Sequence, residues 1–244
     1  MPTQTQRAGG APAPRAETTD HHRDVTGGWL RPAVFGAMDG LVSNSALVAG
    51  VAGGSDARHT VLVAGLAGLV AGAFSMAAGE YISVASQSEL AQAEIEVERQ
   101  ELLAHPGPEQ EELARIYMAR GVEPQLARQV AAQLSRDPAQ ALEVHVREEL
   151  GIDPDELPSP VVAAGSSFVS FAVGAVLPVL PYLLGAGLLA SVLVTLVALF
   201  VGGAVVARVT ARAWWYSGAR QLVLGGAALG VTYLVGGLVG GVAG

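Results

Sequence analysis

The sequence contains no cysteine and no lysine, and only 5% of its residues are aromatic. Without cysteine there are no disulfides and no thiolate metal sites, so a metal would need oxygen, imidazole or thioether ligands. Charged residues make up 15% of the chain, below the roughly 25% that soluble domains carry. Because every basic residue is arginine, we expect a bacterial chain from a GC-rich genome. Glycine is abundant, with 31 residues, as in helices that pack closely within lipid.

Long apolar runs dominate the rest of the sequence. A helix needs about 20 apolar residues to cross a bilayer core about 30 Å thick. Residues 157–207 contain no charge and would make one helix of roughly 75 Å, so the chain must fold back within them. Pro178, Pro181 and the glycines at 185 and 187 mark that turn. The runs predict five transmembrane helices, at about residues 32–54, 60–85, 161–182, 187–209 and 221–242.

Charge is distributed unevenly along the chain, and its distribution predicts an orientation. Residues 87–158 hold 16 acidic residues and 6 arginines, a net charge of −10 within a chain of net charge −8. Arginine is also concentrated before the first span and between the fourth and fifth, whereas the alternate connections carry only Arg58. By the positive-inside rule, we expect the N-terminus and residues 87–158 in the cytoplasm and the C-terminus outside.

The predicted fold class is an all-α, polytopic membrane protein of the bacterial plasma membrane. Five transmembrane helices are expected, with a cytoplasmic helical domain inserted between spans two and three. The second span has no helix breaker before residue 104, so we expect it to continue into the cytoplasm. The predicted regions are a disordered cytoplasmic tail at 1–30, spans one and two at 31–86, the acidic domain at 87–158, and spans three to five at 159–244.

Two carboxylates interrupt the first two apolar runs. Asp39 and Glu80 each cost about 2.5–3.5 kcal/mol near the middle of a span, so they indicate a functional site. Antiparallel spans would place them at similar depths, roughly 12 Å and 9 Å from the cytoplasmic side. Met76 lies one helical turn from Glu80, and Ser43 and Asn44 lie about one turn beyond Asp39. Two carboxylates, a thioether and small oxygen donors predict a transient cation site on a transport path.

A second set of candidate ligands lies on predicted helices of the acidic domain. Spacings of three and four residues place glutamates on common faces, and a histidine precedes the last of them by one turn. Helical bundles assemble carboxylate metal sites from such facing glutamates. Solvated acidic faces show the same spacing, and spacing alone favours that simpler interpretation. The candidate metal ligands are Glu94, Glu98, Glu101, Glu109, Glu112, His145 and Glu149.

Several segments resemble the vacuolar iron transporter family, which includes the nodulin-like transporters. They read FGAMDGLVSNSALVAGVAGG, AGLAGLVAGAFSMAAGEYISVASQSE, ELARIYMARGVEP and HVREELGID. The segments SFVSFAVGAVLPVLPYLL and RQLVLGGAALGVTYLVG are also in register, so the resemblance runs from about Asp24 to the C-terminus. It is most specific in the first two predicted spans.

The resemblance implies a homodimer whose long second span continues into a cytoplasmic metal-binding domain. It also implies export of Fe²⁺ from the cytosol in exchange for protons, with Mn²⁺ as a cargo of some members. Asp39 and Met76 match the family's transport residues. His145 and Val146 stand where some members have methionines, and histidine is a ligand for Fe²⁺ or Zn²⁺. The glutamates that match the family's cytoplasmic metal ligands are Glu98, Glu101, Glu109, Glu112 and Glu149.

The residues and the resemblance together predict a proton-coupled exporter of Fe²⁺ or Mn²⁺. One alternative is an exporter selective for Mn²⁺, because both metals suit oxygen-rich sites. Another is a membrane-anchored metal sensor or scaffold, which would have no use for carboxylates inside the spans. We expect no enzyme, because the sequence has no nucleophile–base motif and no phosphate-binding loop. We also expect no resident cofactor, and no nucleic-acid partner because the large domain is acidic.

Overall fold

The computed structural model describes residues 28–210 and 212–243. The predicted tail at 1–30 lies almost entirely outside them. Helices and short connections account for these two ranges, with no β-strand in either, which confirms the all-α class. A π-helical turn, Val146–Leu150, directly follows the fifth helix. The helices are α1 (Leu30–Gly54), α2 (Arg58–Ala104), α3 (Pro106–Ala119), α4 (Pro124–Leu134), α5 (Pro138–His145), α6 (Pro160–Leu183), α7 (Leu188–Thr210) and α8 (Trp214–Ala243).

Five of the described helices, α1, α2, α6, α7 and α8, are long and apolar enough to cross a membrane. They coincide with the five apolar runs of the sequence. The largest difference is at α8, which begins at Trp214 and not near residue 221, because the aromatic residues 214–216 belong to the helix. These helices are compatible with a membrane protein, whereas the topology within a bilayer stays a prediction.

The reversal between α6 and α7 differs in detail from the prediction. Pro178 and Pro181 do not form the turn but lie buried within the last turns of α6. Ser191 of α7 donates its hydroxyl to the carbonyl oxygen of Pro178 at 2.6 Å, which ties the two helices together. The turn itself uses Gly185, whose φ of 96° lies in the left-handed region that glycine adopts without steric cost.

Helix α1 occupies the centre of the apolar bundle. It packs mainly against α6 and α8, while α2 packs against α6 and α7 against α8. The crossing of α1 and α6 depends on glycine in both helices. A Cβ atom on Gly40 would lie 2.9 Å from the carbonyl carbon of Phe171, and one on Gly174 would lie 2.9 Å from the nitrogen of Leu41. This close contact fixes the position of the neighbouring Asp39 relative to α6.

Arg58, the single arginine between the first two apolar runs, has a structural partner. Its Nε donates to the carbonyl oxygen of Tyr182 at 3.0 Å, and its Nη2 donates to the same oxygen. Tyr182 lies in the last turn of α6, where carbonyl groups lack helical partners and a cation is favoured. Arg58 therefore joins the beginning of α2 to the end of α6.

Helix α2 is continuous from the apolar run to Ala104, as the sequence predicted. Its 47 residues make a rod of about 70 Å, which is about 40 Å longer than a bilayer core. The same rigid helix therefore carries Met76 and Glu80 in its apolar part and Glu98 in its acidic part.

Residues 106–150 fold into short helices beside the end of α2. Glu123 and Asp137 cap α4 and α5 through their side-chain carboxylates, and the proline that follows each of them begins the helix. Helix α3 begins at Pro106, because proline is suited to the first position of a helix. The small core of this region contains Leu113, Ala114 and Ala131.

Candidate functional site

His145 lies at the end of α5, and its side chain is fully buried. Its Nδ1 atom lies 3.0 Å from Oε1 of Glu98 and 4.0 Å from Oε2 of Glu109. Glu98 comes from α2 and Glu109 from α3, and both are buried. Three helices thus bring one imidazole and two carboxylates together, with one ligand atom from each residue lying within 4.8 Å of the others.

Several of these buried atoms have no hydrogen-bond partner in the described part of the chain. They are both ring nitrogens of His145 and Oε1 of Glu98, because the approach of Nδ1 to Oε1 does not have hydrogen-bond geometry. An unpaired buried polar group costs about 1–3 kcal/mol. A divalent cation between the imidazole and the carboxylates would give Nδ1 of His145 and Oε1 of Glu98 a partner, and it would neutralise the repulsion between the carboxylates. The nitrogen and oxygen donors fit a first-row divalent metal.

The π-helical turn after α5 brings a further donor to this centre. Oε2 of Glu149 lies 3.9 Å from Nδ1 of His145, and the Glu149 side chain is 34% exposed. π-helical turns occur frequently at functional sites, where they change the direction of side chains. Glu149 therefore marks the side on which the otherwise buried centre is open to solvent.

Burial and mutual repulsion change the proton affinity of the groups in the centre. Burial, followed by the charges of the neighbouring carboxylates, raises the pKa of Glu98 to about 7. Burial also raises the pKa values of Glu109 and Glu149, and repulsion from Glu112 adds to both. Burial lowers the pKa of His145. The imidazole is therefore neutral near pH 7, which is the form that binds metal.

The other predicted ligands of the acidic domain lie around this centre. Glu101 and Glu112 add to the repulsion that raises the pKa of Glu98, but neither belongs to the convergent group of Glu98, Glu109 and His145. Glu94 lies one turn before Glu98 on α2 and is exposed. The predicted ligands thus divide into a buried set, Glu98, Glu109 and His145, and a more exposed set around it.

Glu148 supports the centre from the opposite side of the π-helical turn, a role that the sequence did not indicate. It forms an ion pair with Arg120 and accepts a hydrogen bond from the Tyr117 hydroxyl at 3.5 Å. Both partners come from the end of α3, whose beginning carries Glu109. These contacts hold α3 against the turn and so help to place Glu109 near His145. Sequence spacing gives no sign of the ion pair, because its two residues lie 28 positions apart.

In the apolar bundle, Asp39 and Ser43 lie on a face of α1 that the other described helices leave open. Ser43 is exposed and Asp39 is partly exposed. Phe35 and Leu47 extend the same face, at four-residue spacing, with 58% and 40% exposure. The Ser43 hydroxyl donates to the backbone carbonyl of Asp39, and the Asp39 carboxylate has no hydrogen-bond or ion-pair partner among the described residues. We call these four residues the α1 stripe.

The remaining residues predicted on the transport path lie elsewhere on α1 and α2. Asn44 is 2% exposed and lies inside the bundle, because it is about 100° around the helix from Ser43. Met76 is partly buried and packs against a cluster that contains Ala73 and Phe171. Glu80 is partly exposed and lies one turn further along α2. Ser43 therefore shares a face with Asp39, whereas Asn44 does not.

Known proteins resemble this chain over most of its length. The profile of the VIT family matches residues 30–237. The vacuolar iron transporter of Acanthamoeba castellanii (strain ATCC 30010 / Neff) is 45% identical over 156 residues, which cover 64% of this chain but only 56% of that protein. Vacuolar iron transporter 1 of Oryza sativa subsp. japonica is 33% identical over 236 residues, covering 92% of this chain and 94% of that protein. Vacuolar iron transporter 1 of Arabidopsis thaliana is 35% identical over 194 residues, covering 75% and 76%.

These matches confirm the resemblance found in the sequence. Members of this family are membrane-embedded transporters, which confirms that the chain is not an enzyme. The relatives named here come from an amoeba and two plants, so they give no support to the bacterial source expected from the arginine content. The family's profile matches most of the chain, and five helices are long and apolar enough to cross a membrane. The chain therefore belongs to the VIT family.

Proposed function

We propose that this chain is a transporter of divalent metal ions whose main cargo is Fe²⁺, moved out of the cytosol in exchange for protons. The observation that carries the proposal is Asp39, a carboxylate on the open face of an otherwise apolar helix. Such a residue is costly in lipid and normally belongs to an ion or proton pathway. The names of the relatives, vacuolar iron transporters, support Fe²⁺ as the cargo.

In the proposed topology, α1, the first part of α2, and α6 to α8 cross the bilayer. Residues 31–86 and 159–244 form the membrane part, residues 87–158 form a cytoplasmic metal-binding domain, and the C-terminus lies outside. The length of α2 supports this arrangement, because about 40 Å of the helix extends beyond a bilayer core. Arg58 would be the lone arginine on the outer side, and its hydrogen bond to Tyr182 explains its presence there. In a bacterial cell this membrane is the plasma membrane.

The cytoplasmic domain collects the metal before transport. Glu98, Glu109, His145 and Glu149 bind the ion at the centre described above. The more exposed carboxylates around it raise the local concentration of cations through their negative potential. The ion is substrate here, so the centre must release it as well as bind it.

The path into the membrane follows α2 and then α1. Glu80 lies in the apolar part of α2, nearer than Met76 to the metal centre along the helix, and it receives the ion from the cytoplasmic side. Met76 offers a thioether one turn deeper, and Asp39 and Ser43 offer oxygen donors on α1. Asn44 positions α1 from inside the bundle through its bond to Ala175 and does not bind the ion.

A second copy of the chain covers the α1 stripe. In a single copy, the Asp39 carboxylate would face lipid, at a cost of about 2.5–3.5 kcal/mol when ionised. Two copies related by a twofold axis would place two such stripes against each other and enclose a polar path between them. We therefore propose a homodimer in which the transport path lies between the two α1 helices.

Proton coupling follows from competition at the carboxylates. An ionised Asp39 binds the metal when the path is open to the cytoplasm. When the path is open to the outside, protons replace the metal on Asp39, and the neutral carboxyl group returns without a charge in the membrane. The proton gradient then drives metal export, because protonation occurs on the more acidic side.

The test is metal uptake into proteoliposomes that contain the full-length protein, with and without an imposed pH gradient. We expect the wild type to move Fe²⁺ under anaerobic conditions and the gradient to accelerate the movement. Asp39→Asn should lose transport, whereas Asp56→Asn, an exposed acid of the α1–α2 connection, should retain it. Full transport by Asp39→Asn would refute the proposed path, and an equal rate without a gradient would refute the coupling. Uptake of Mn²⁺ in preference to Fe²⁺ would favour the Mn²⁺ exporter, and no uptake of any ion would favour a sensor or scaffold.

A further inference from the structure

His145 differs in kind from every other donor of the metal centre. The surrounding donors are carboxylate oxygens from α2, α3 and the π-helical turn, and Nδ1 of His145 lies within 3.0–4.0 Å of three of them. An oxygen-only centre would suit hard cations such as Mg²⁺, Ca²⁺ and Mn²⁺. A buried imidazole among the carboxylates changes that preference if it binds the ion.

Packing alone does not account for a histidine at this position. The side chain is fully buried, yet both of its nitrogens lack hydrogen-bond partners in the described ranges. An apolar side chain of similar volume would fill the same space without that loss. A buried histidine that serves only the core is normally hydrogen-bonded.

A simple ion pair with Glu98 does not account for it either. An imidazolium would direct its N–H at the carboxylate oxygen, but the 3.0 Å contact between Nδ1 and Oε1 does not have that geometry. Instead, one donor atom from each of Glu98, Glu109 and His145 lies within 4.8 Å of the other two, a spacing that one ion can bridge. Nδ1 is the ring nitrogen that lies within 4.0 Å of all three carboxylates.

We infer that His145 binds the cation through Nδ1 and makes the centre prefer borderline transition-metal ions, such as Fe²⁺, Co²⁺ and Zn²⁺, over the harder Mn²⁺, Mg²⁺ and Ca²⁺. Imidazole suits the first group, and oxygen ligands suit the second. This inference rests on the metal centre of the proposed function and not on transport through the membrane. With this preference, selection among metal ions begins at the cytoplasmic domain, before transport.

The first experiment compares metal binding by the full-length protein in detergent, with Co²⁺ and Mn²⁺ as the probes. In His145→Gln, we expect Co²⁺ affinity to fall at least about 10-fold, while Mn²⁺ affinity changes less than about threefold. His105→Gln removes an exposed histidine at the α2–α3 junction and should change neither affinity. An equal loss for both ions would assign His145 a packing role, and an unchanged Co²⁺ affinity would show that it is no ligand. Either result would overturn the inference.

A second measurement does not depend on how well His145→Gln folds. The chain has 5 histidines, so replacing His21, His22, His59 and His105 by glutamine leaves His145 alone. X-ray absorption of one equivalent of Co²⁺ bound to this variant should show imidazole scattering, and its absence would overturn the inference. Glu98→Gln should weaken the binding of Co²⁺ and of Mn²⁺ alike. Unchanged binding in this variant would show that the metal does not bind at this centre. If imidazole scattering is present but the protein moves no metal in proteoliposomes, only the proposed transport is refuted.

Discussion

Asn44 donates its Nδ2–H to the carbonyl oxygen of Ala175 at 2.7 Å, and this bond joins α1 to α6 within the apolar bundle. On the other side of the amide, a Cβ atom on Gly68 of α2 would lie 2.6 Å from Oδ1. The amide therefore lies where three helices meet. Because Asp39 is only about one turn away on α1, the same contacts help to fix its place along the proposed transport path.

Asn44→Ala should destabilise the bundle. Interhelical hydrogen bonds in membrane proteins contribute about 0.6 kcal/mol on average and up to about 1.7 kcal/mol, and this bond is buried and short. We expect a lower midpoint of thermal unfolding in detergent, with the metal affinity of the cytoplasmic domain unchanged. Thr232→Val is the matched control, since the Thr232 hydroxyl donates only to carbonyl groups of its own helix. Equal midpoints for Asn44→Ala and the wild type would show that the bond adds no stability.

The pair of Ser43 and Asn44 also shows where prediction from the sequence ends. Both are small polar residues next to each other, one turn beyond Asp39, and the sequence placed both on the transport path. Adjacent residues in a helix point about 100° apart, so only one of them shares a face with Asp39. Which one faces inward is decided by the packing of α1 against α6, and that packing depends on contacts distant in sequence.

In the acidic domain, too, some features can be predicted from the sequence and others cannot. The starts of α4 and α5 depend on an acidic residue followed by proline, a signal that lies within the local sequence because capping is a local interaction. Glu94, Glu98 and Glu101 all fit one helical face, yet only Glu98 is buried. Its burial comes from α3 and α5, so no spacing rule on α2 could have separated it from the other two.

Metal binding should weaken as the pH falls below about 7. Burial and neighbouring carboxylates raise the pKa of Glu98 to about 7, so a proton competes with the metal for this ligand near neutral pH. Below that value, one competing proton reduces the apparent affinity by up to about tenfold per pH unit. Titrations with Co²⁺ at pH 6, 7 and 8 would measure this. A constant affinity from pH 6 to 8 would contradict it, since a carboxylate of ordinary pKa would already be ionised across that range.

The metal-free protein should show the opposite dependence of stability on pH. The pKa of Glu98 is about 7 in the folded protein against 4.5 for an unperturbed glutamate, so the folded state binds more protons between these values. The contribution of Glu98 to stability is therefore full below about pH 4.5 and is lost as the pH rises through about 7. Unfolding midpoints of chelator-treated protein from pH 5 to 8 should decrease more steeply in the wild type than in Glu98→Gln. Parallel profiles for the two proteins would mean that Glu98 titrates normally.

The absence of cysteine makes the proposed dimer directly testable by crosslinking. If two α1 stripes face each other, a single cysteine introduced by Ser43→Cys or Leu47→Cys would meet its own counterpart near the twofold axis. A disulfide requires Cα atoms about 4.4–6.8 Å apart, so mild oxidation in membranes should give a covalent dimer at one of these positions. Val197→Cys places the thiol on α7 with similar access, since Val197 is 63% exposed, and it should remain monomeric on a denaturing gel. Crosslinking of Val197→Cys to the same extent would indicate random collision. Monomers in both stripe variants would show that the α1 helices do not meet at this face.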